Sequence, residues 1–275
     1  MIHFTDEEFV RLRNYVISNF GIDLTKKRIL AECRMSNELE KLGIPAMGQF
    51  LDQMESDKSG RLQSILLNRL TTNYTYFMRE MAHFEFLEKT ILPELKGRSE
   101  TEPYRIWSAG CSSGEECYSA AMVMKNYEML GGWLPPYSIR GTDVSDRALK
   151  VAREGRYPLS ELEKLPELWR KTFVEAEPGG RYFTVTPSVR ANVEFLRMNL
   201  LKPYFGIREY DLIFCRNVMI YFDESSRRKL IENLYRSIKT DGYLFVGHTE
   251  LLPRNHELFE YVCPAIYRKR GNVYG

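Results

Sequence analysis

Through the first 95 residues the apolar positions recur at helical spacing. Thr5 followed by Glu8 forms a capping box ahead of Phe9, Leu12, Val16 and Ile17, a stripe that stops at Gly21. A second helix is predicted from Lys26 to Leu42, with Leu30, Cys33, Leu39 and Leu42 inward and Gly43 beyond its end. Met47–Met54 and Arg61–Leu70 predict two more, and Phe84, Leu87, Ile91 and Leu95 mark another after the segment Thr71–Arg79. From Tyr104 the period changes. Tyr104–Ala109 predicts a short strand, the small-residue loop Gly110–Gly114 follows, and a helix runs from Glu115 to about Leu130. Tyr137–Gly141, Tyr210–Cys215 and Tyr243–Gly247 predict further strands, with helices at Ser145–Glu154 and Asp223–Lys239. Alternation of this kind implies α/β architecture, a parallel sheet with crossover helices. Leu258–Val262 and Ala265–Arg270, with no helix between them, predict a closing antiparallel pair. Between Phe173 and Leu200 the rhythm breaks, and a small antiparallel β-subdomain at about 177–197 is expected as an insertion. The expected division is a helical domain 1–95 and an α/β domain 96–275.

Length fits that division, since 275 residues make one large or two modest domains at roughly 100–200 residues each. With 44% hydrophobic and 28% charged residues, the chain has enough apolar material for a core and is not a disordered tether. A formal charge of only +2 argues against blanket binding of nucleic acid, which needs concentrated positive charge. No apolar stretch approaches the roughly 20 residues that cross a bilayer, and the start Met-Ile-His-Phe-Thr-Asp lacks a signal peptide's basic and apolar regions. The expectation is a cytoplasmic protein with no membrane insertion. Cys33, Cys111, Cys117, Cys215 and Cys263 are odd in number and contain no C-x-x-C pair, so reduced thiols are expected. Four scattered histidines leave little material for a metal site, and none is expected.

The chemistry concentrates in the loop Ser108–Glu116. It is neither a Walker loop nor G-x-G-x-x-G, and its two carboxylates, Glu115 and Glu116, would repel a pyrophosphate. They suit a cationic ligand such as the sulfonium cofactor S-adenosyl-L-methionine. Asp143 at the end of the next strand can accept from ribose hydroxyls, as acidic residues do in dinucleotide sites. By itself the loop fits a structural turn equally well, because acidic residues also favour a helix N-terminus electrostatically.

Four blocks resemble one family. Thr71-Thr-Asn-Tyr-Thr-Tyr-Phe-Met-Arg-Glu80, Trp107–Ser119, Phe214-Cys-Arg-Asn-Val-Met-Ile-Tyr-Phe-Asp223 and Asp241–Glu250 are similar, in order, to motifs of the chemotaxis-receptor glutamate O-methyltransferases, the CheR family. Cys117 stands where that family has proline. The resemblance implies a Rossmann-like class I methyltransferase sheet behind an all-helical N-terminal domain. It implies S-adenosyl-L-methionine as cofactor and S-adenosyl-L-homocysteine as product, without a metal. Asn73, Thr75 and Arg79 would close over the methionine end, Glu115 would reach the amino-acid portion and Asp143 the ribose. Asn199 and Leu200 would flank the adenine, with Asn217 and Val218 on the cofactor's other side. Arg79 and Tyr221 would position the acceptor. A glutamate is ionised at neutral pH, so the reaction needs no general base, and His248 stays outside the catalytic set.

The implied partner is the helical cytoplasmic region of membrane chemoreceptors, met by a monomer. Two other readings remain open at the level of sequence. One is a nucleic-acid amino-methyltransferase, against which stand the missing Asp/Asn-Pro-Pro-Tyr motif, replaced here by Asn217-Val-Met-Ile-Tyr221, and the balanced charge. The other is a non-catalytic receptor-binding module that senses the cofactor. Lys27, Arg34 and Lys41 recur at seven-residue spacing on the second helix and form a candidate docking stripe for an acidic partner, with a solvated face as the alternative. The β-subdomain is a second candidate, by strand addition, though the turn around Pro178-Gly-Gly180 is short.

Overall fold

A computed structural model describes residues 2–202 and 209–271. Four helices open the chain: α1 (Asp6–Phe20), α2 (Arg28–Leu42), α3 (Met47–Ser56) and α4 (Arg61–Leu70). Both halves of the Thr5–Glu8 capping box form, and Gly21 ends α1 at φ +71°. The helices enclose a core that includes Leu12, Val16, Met35, Leu39, Phe50, Leu51 and Leu66.

The inward face of α2 differs from the sequence expectation. Ala31, Glu32, Met35, Ser36 and Leu39 are buried, whereas Leu30 and Cys33 are exposed. The reason is polar. Glu32 accepts from the Phe4 amide at 3.1 Å and from Arg28 Nε at 3.1 Å, and Ser36 Oγ accepts from the Ile2 amide at 2.8 Å. A buried carboxylate held by donors replaces the apolar stripe that periodicity looks for.

After the 71–80 segment, α5 (Met81–Phe86) passes through a π-turn at Leu87–Ile91 into α6 (Leu92–Glu94). Pro93 cannot donate to the preceding turn, and the helix widens just ahead of it.

The main sheet has seven strands in the order β6-β2-β1-β7-β8-β10-β9. These are β1 (Tyr104–Ala109), β2 (Tyr137–Asp143), β6 (Val193–Arg197), β7 (Tyr210–Cys215), β8 (Ile238–Val246), β9 (Phe259–Cys263) and β10 (Ile266–Lys269). Pairings from β6 through β8 are parallel, and β10 runs antiparallel to both β8 and β9. The helices α7 (Glu115–Met129), α8 (Asp146–Glu154) and α11 (Glu224–Ser237) cover the faces, so all six residues of β7 are buried. This is the Rossmann-like class I methyltransferase arrangement. From β1 the chain moves outward through β2 to β6, then returns to β7 on the other side of β1. That reversal opens a crevice at the carboxyl ends of the central strands.

A second sheet, order β3-β5-β4, joins β3 (Arg156–Pro158), β5 (Tyr182–Val185) and β4 (Val174–Ala176) in antiparallel register. α9 (Glu167–Thr172) lies within this excursion, and α10 (Pro187–Arg190) leads out of it. The inserted sheet therefore begins some twenty residues before the expected 177, and Val193–Arg197 is not part of it. That strand pairs parallel with β2, Ile139 opposite Val193 through Asp143 opposite Arg197. Composition marks a strand but not its partner.

The helical bundle meets the α/β part where α4 packs on the start of α8, Ser145 Oγ donating to Asn68 Oδ1 at 2.8 Å, and along a seam beside the sheet. Ile22 and Phe222 form an antiparallel bridge, flanked by Asp23 N–H to Tyr221 C=O at 2.8 Å and Asp223 N–H to Gly21 C=O at 3.2 Å. Asn199 Nδ2 donates to the Asn19 carbonyl at 2.7 Å. Among the described residues no helix is long and apolar enough to cross a membrane.

Candidate functional site

The crevice is a cleft of about 1180 Å³ including its open mouth, between the carboxyl ends of β1, β2, β6 and β7 and the 71–80 segment. Gly110 enters it at φ +85°, and a Cβ there would lie 2.4 Å from Val218 Cγ2, so only glycine lets the loop pass beneath that side chain.

Asp143 lies half-buried on the cleft wall. Its Oδ2 accepts from the Ser112 amide and its Oδ1 from the Ser145 amide, both at 2.9 Å. Burial pushes its pKa up, while the two amides oppose that shift. Each oxygen keeps acceptor capacity for a further donor. Ser112 Oγ donates to the Asn73 carbonyl at 3.0 Å, and Asn73 Nδ2 donates to Ser145 Oγ at 3.1 Å, so the 71–80 segment closes on the loop after β1. Thr75 lines the same side.

Arg79 stands at the cleft with its guanidinium over the rings of Tyr74 (5.6 Å) and Tyr76 (5.8 Å), and Nη1 donates to the Tyr74 carbonyl at 2.8 Å. Among the described residues it has no ion-pair partner within 4 Å. Arg216 is the opposite case. It is buried against the Phe84 ring, with Nε 3.3 Å from Glu80 Oε2 and Nη1 3.3 Å from Glu116 Oε2. Its Nη2 donates to the Arg79 carbonyl, which fixes the backbone of the cleft arginine. Met78 and Glu80, on either side of Arg79, both hold φ near +55°. The Met78 amide is anchored on Ser119 Oγ at 2.9 Å. Such conformations persist only where surroundings over-determine them.

Asn217, at φ +58°, donates through Nδ2 to Glu80 Oε1 at 3.1 Å. Its amide, with those of Ile220 and Gly247, donates to buried Glu250, whose pKa burial pushes up and those amides restrain. His83 is buried and neutral, its pKa pushed down to about 3 chiefly by burial. Tyr221 lies at the seam with the helical bundle, Lys27 Nζ 5.1 Å from its ring centre.

The fold thus brings Asn73, Thr75, Arg79, Asp143, Asn199, Leu200, Asn217, Val218 and Tyr221 onto one cleft. Glu115 is not on it. As the first residue of α7 it turns the other way, accepting from Ser113 Oγ at 2.8 Å, and burial raises its pKa to about 7. Glu116 faces the cleft instead, accepting from Ser108 Oγ at 2.6 Å, its pKa raised by burial and opposed by Arg216. One residue along a helix rotates the side chain by about 100°, which a motif cannot resolve. Asn199 Oδ1 accepts from the Leu201 amide at 3.0 Å, so both ends of that side chain are engaged in the seam.

Glu80, Arg216 and Glu250 lie within the sequence blocks but carried no assigned role, and Glu116 was read only as one of a pair of carboxylates suited to a cation. Their signal was that charged residues recur in otherwise apolar runs. The docking stripe on α2 is also altered. Arg34 spends its guanidinium on the carbonyls ending α4, Leu70 at 3.1 Å among them, and Lys41 pairs with Glu38 at 3.1 Å. Lys27 alone of the three lies over a cleft residue, its Nζ above the Tyr221 ring.

The donor set fits S-adenosyl-L-methionine. Carboxylates Glu116 and Asp143 suit an amine, a sulfonium and ribose hydroxyls.

Comparison with known proteins agrees. The family described as CheR methyltransferase, SAM binding domain, matches residues 73–267. The chain is 40% identical over 98% of its length to a chemotaxis protein methyltransferase of Borreliella burgdorferi and covers 96% of that protein. It is 35% identical to chemotaxis protein methyltransferase 2 of Pseudomonas aeruginosa, covering 96% of this chain and 94% of the relative. To the chemotaxis protein methyltransferase of Escherichia coli it is 34% identical, over 90% and 85% of the two chains.

Proposed function

The chain belongs to the CheR methyltransferase family, and from that premise we propose that it esterifies glutamate side chains in the helical cytoplasmic region of chemoreceptors. It is a methyltransferase of chemotaxis that uses S-adenosyl-L-methionine. The acceptor, the ester product and the cytoplasmic setting are the proposal, as is the reading of 1–95 as a domain beside a catalytic 96–275.

One observation carries it: among the described residues Arg79 offers a guanidinium to the cleft with no carboxylate within 4 Å, while Arg216 beside it is ion-paired to both Glu80 and Glu116. A planar fork of donors is complementary to a carboxylate acceptor. Glutamate arrives ionised, so the protein has no proton to remove. When bound, the cofactor supplies an electrophilic methyl on a sulfonium. The protein's part is to exclude water, align the acceptor about 3–3.5 Å from that carbon and leave its attacking lone pair free. Arg79 holds the acceptor, and the Tyr221 hydroxyl donates to its second oxygen. Asp143 receives the ribose, and Asn73 and Thr75 cover the methionine end. Leu200 and Val218 supply apolar walls. Glu116, which faces the cleft, takes the place Glu115 was expected to fill beside the amine.

The test is methyl transfer from labelled cofactor to a receptor cytoplasmic fragment, followed by mild alkali. Esters release methanol, whereas methylated amines do not. Base-stable label, or transfer to nucleic acid in place of the receptor fragment, would overturn the reading. Tight cofactor binding without transfer to either would leave the sensing module.

A further inference from the structure

Histidines far apart in sequence meet beside the cleft. His83, in the first turn of α5, lies 3.5 Å through Nδ1 from Glu80 Oε2. His248, just past β8, places Nε2 3.8 Å from the same oxygen. One ligand atom from each of Glu80, His83 and His248 lies within 4.8 Å of the others. His83 is only 1% exposed, and neither of its ring nitrogens has a hydrogen-bond partner. Buried polar atoms are almost always partnered, so an orphan imidazole beside a carboxylate and stacked on a second imidazole calls for a missing partner.

We propose that Glu80, His83 and His248 form a binding site for a divalent cation of the zinc class, with a fourth position open to solvent. Two imidazoles and one carboxylate are borderline-soft and hard donors together, a set that suits zinc better than calcium or magnesium. Bonds of about 2.0–2.2 Å in a tetrahedron hold ligand atoms about 3.3 Å apart, close to the separations around Glu80 Oε2. The His248 ring, stacked parallel to that of His83, must turn to bring its in-plane lone pair onto the ion, and its half-exposed side chain leaves room for that turn and a route of entry. Charge agrees as well. Glu80 and Glu116 both flank the guanidinium of Arg216, and Arg79 adds a second positive charge near Glu116, so Glu80 is the carboxylate left for a cation. Arg216 keeps Glu116 and the Arg79 carbonyl when Glu80 Oε2 turns to a cation. Occupancy would reach the cleft through the backbone at 79–80, because Glu80 follows Arg79 directly.

Cobalt(II) is the probe, titrated into full-length protein stripped with a chelator. The expected result is one equivalent bound, with the visible absorption of a four- or five-coordinate ion lacking thiolate charge transfer, and displacement by zinc. Loss of an outer partner to a metal ligand typically costs about 10–100-fold in affinity, so His248→Ala, which removes a ligand at the surface, should cost at least about 100-fold. Circular dichroism and S-adenosylhomocysteine binding verify that this variant is folded. Glu80→Gln should weaken binding too. Absence of stoichiometric uptake, a thiolate band, or equal affinity in His248→Ala would each overturn the proposal.

Discussion

Glu115→Gln tests the buried interior beneath the loop after β1 by pH. The Glu115 carboxyl titrates at about 7 in the folded protein against 4.5 for the unperturbed group, chiefly because burial penalises its charged form. Between those values the folded chain binds more protons than the unfolded one, so this group's contribution to stability falls as pH rises from about 4.5 through about 7. At about 1.36 kcal/mol per pH unit, the span amounts to about 3 kcal/mol. Glutamine has the shape of the protonated acid, and its carbonyl can accept from Ser113 Oγ as the carboxyl does. The variant should match wild type near pH 4.5 and exceed it by about 3 kcal/mol above pH 7.5 or so, levelling off there. Urea unfolding of both proteins across that range measures the difference, which cancels titrations shared by the two. Because Glu115 is not on the cleft, affinity for S-adenosylhomocysteine should change little. A stability difference independent of pH would refute the assigned titration. A loss of cofactor affinity of about tenfold or more would return Glu115 to the methionine end of the site.

Arg79→Lys keeps charge but loses the fork, so turnover should fall far more than S-adenosylhomocysteine affinity, as steady-state kinetics beside calorimetry will read. Asp143→Ala should cost about 1.5–3 kcal/mol of calorimetric binding free energy, and unchanged affinity in a folded variant would remove it from the ribose position. Gly110→Ala puts a methyl 2.4 Å from Val218 Cγ2 at φ +85° and should destabilise the protein by about 1–3 kcal/mol in urea. Pairing it with Val218→Ala should recover the steric part only. Lys27→Glu should weaken receptor methylation mainly at low salt, since screening removes steering, whereas Arg34→Ala should lower stability by about 1–3 kcal/mol with little salt dependence. Equal salt dependence in the two would restore the three-residue stripe.

Much of this protein was legible before folding was considered. The capping box at Thr5 and Glu8, the strands Tyr104–Ala109 and Tyr210–Cys215 and the helix Arg61–Leu70 are set by local chemistry, since capping and side-chain period act within a few residues. Nine of the ten predicted site residues met on one cleft. Those at or after the ends of β2, β6 and β7 did so because strand ends in a parallel sheet converge at the reversal of strand order. Asn73, Thr75 and Arg79 did so because Ser112 and Ser145 hold the 71–80 segment against them. What sequence left open were questions of direction and partnership. Only tertiary structure decided that Glu116 faces the cleft and Glu115 the interior, that Val193–Arg197 joins the main sheet, and that Glu32 and Ser36 form part of α2's inward face. It alone turned Arg34 from a docking charge into a helix cap and set His248 beside His83. Each of these depends on a contact between residues distant along the chain. Periodicity fixes which face of an element is apolar, but the partner of a buried charge is fixed by what the rest of the fold brings to it.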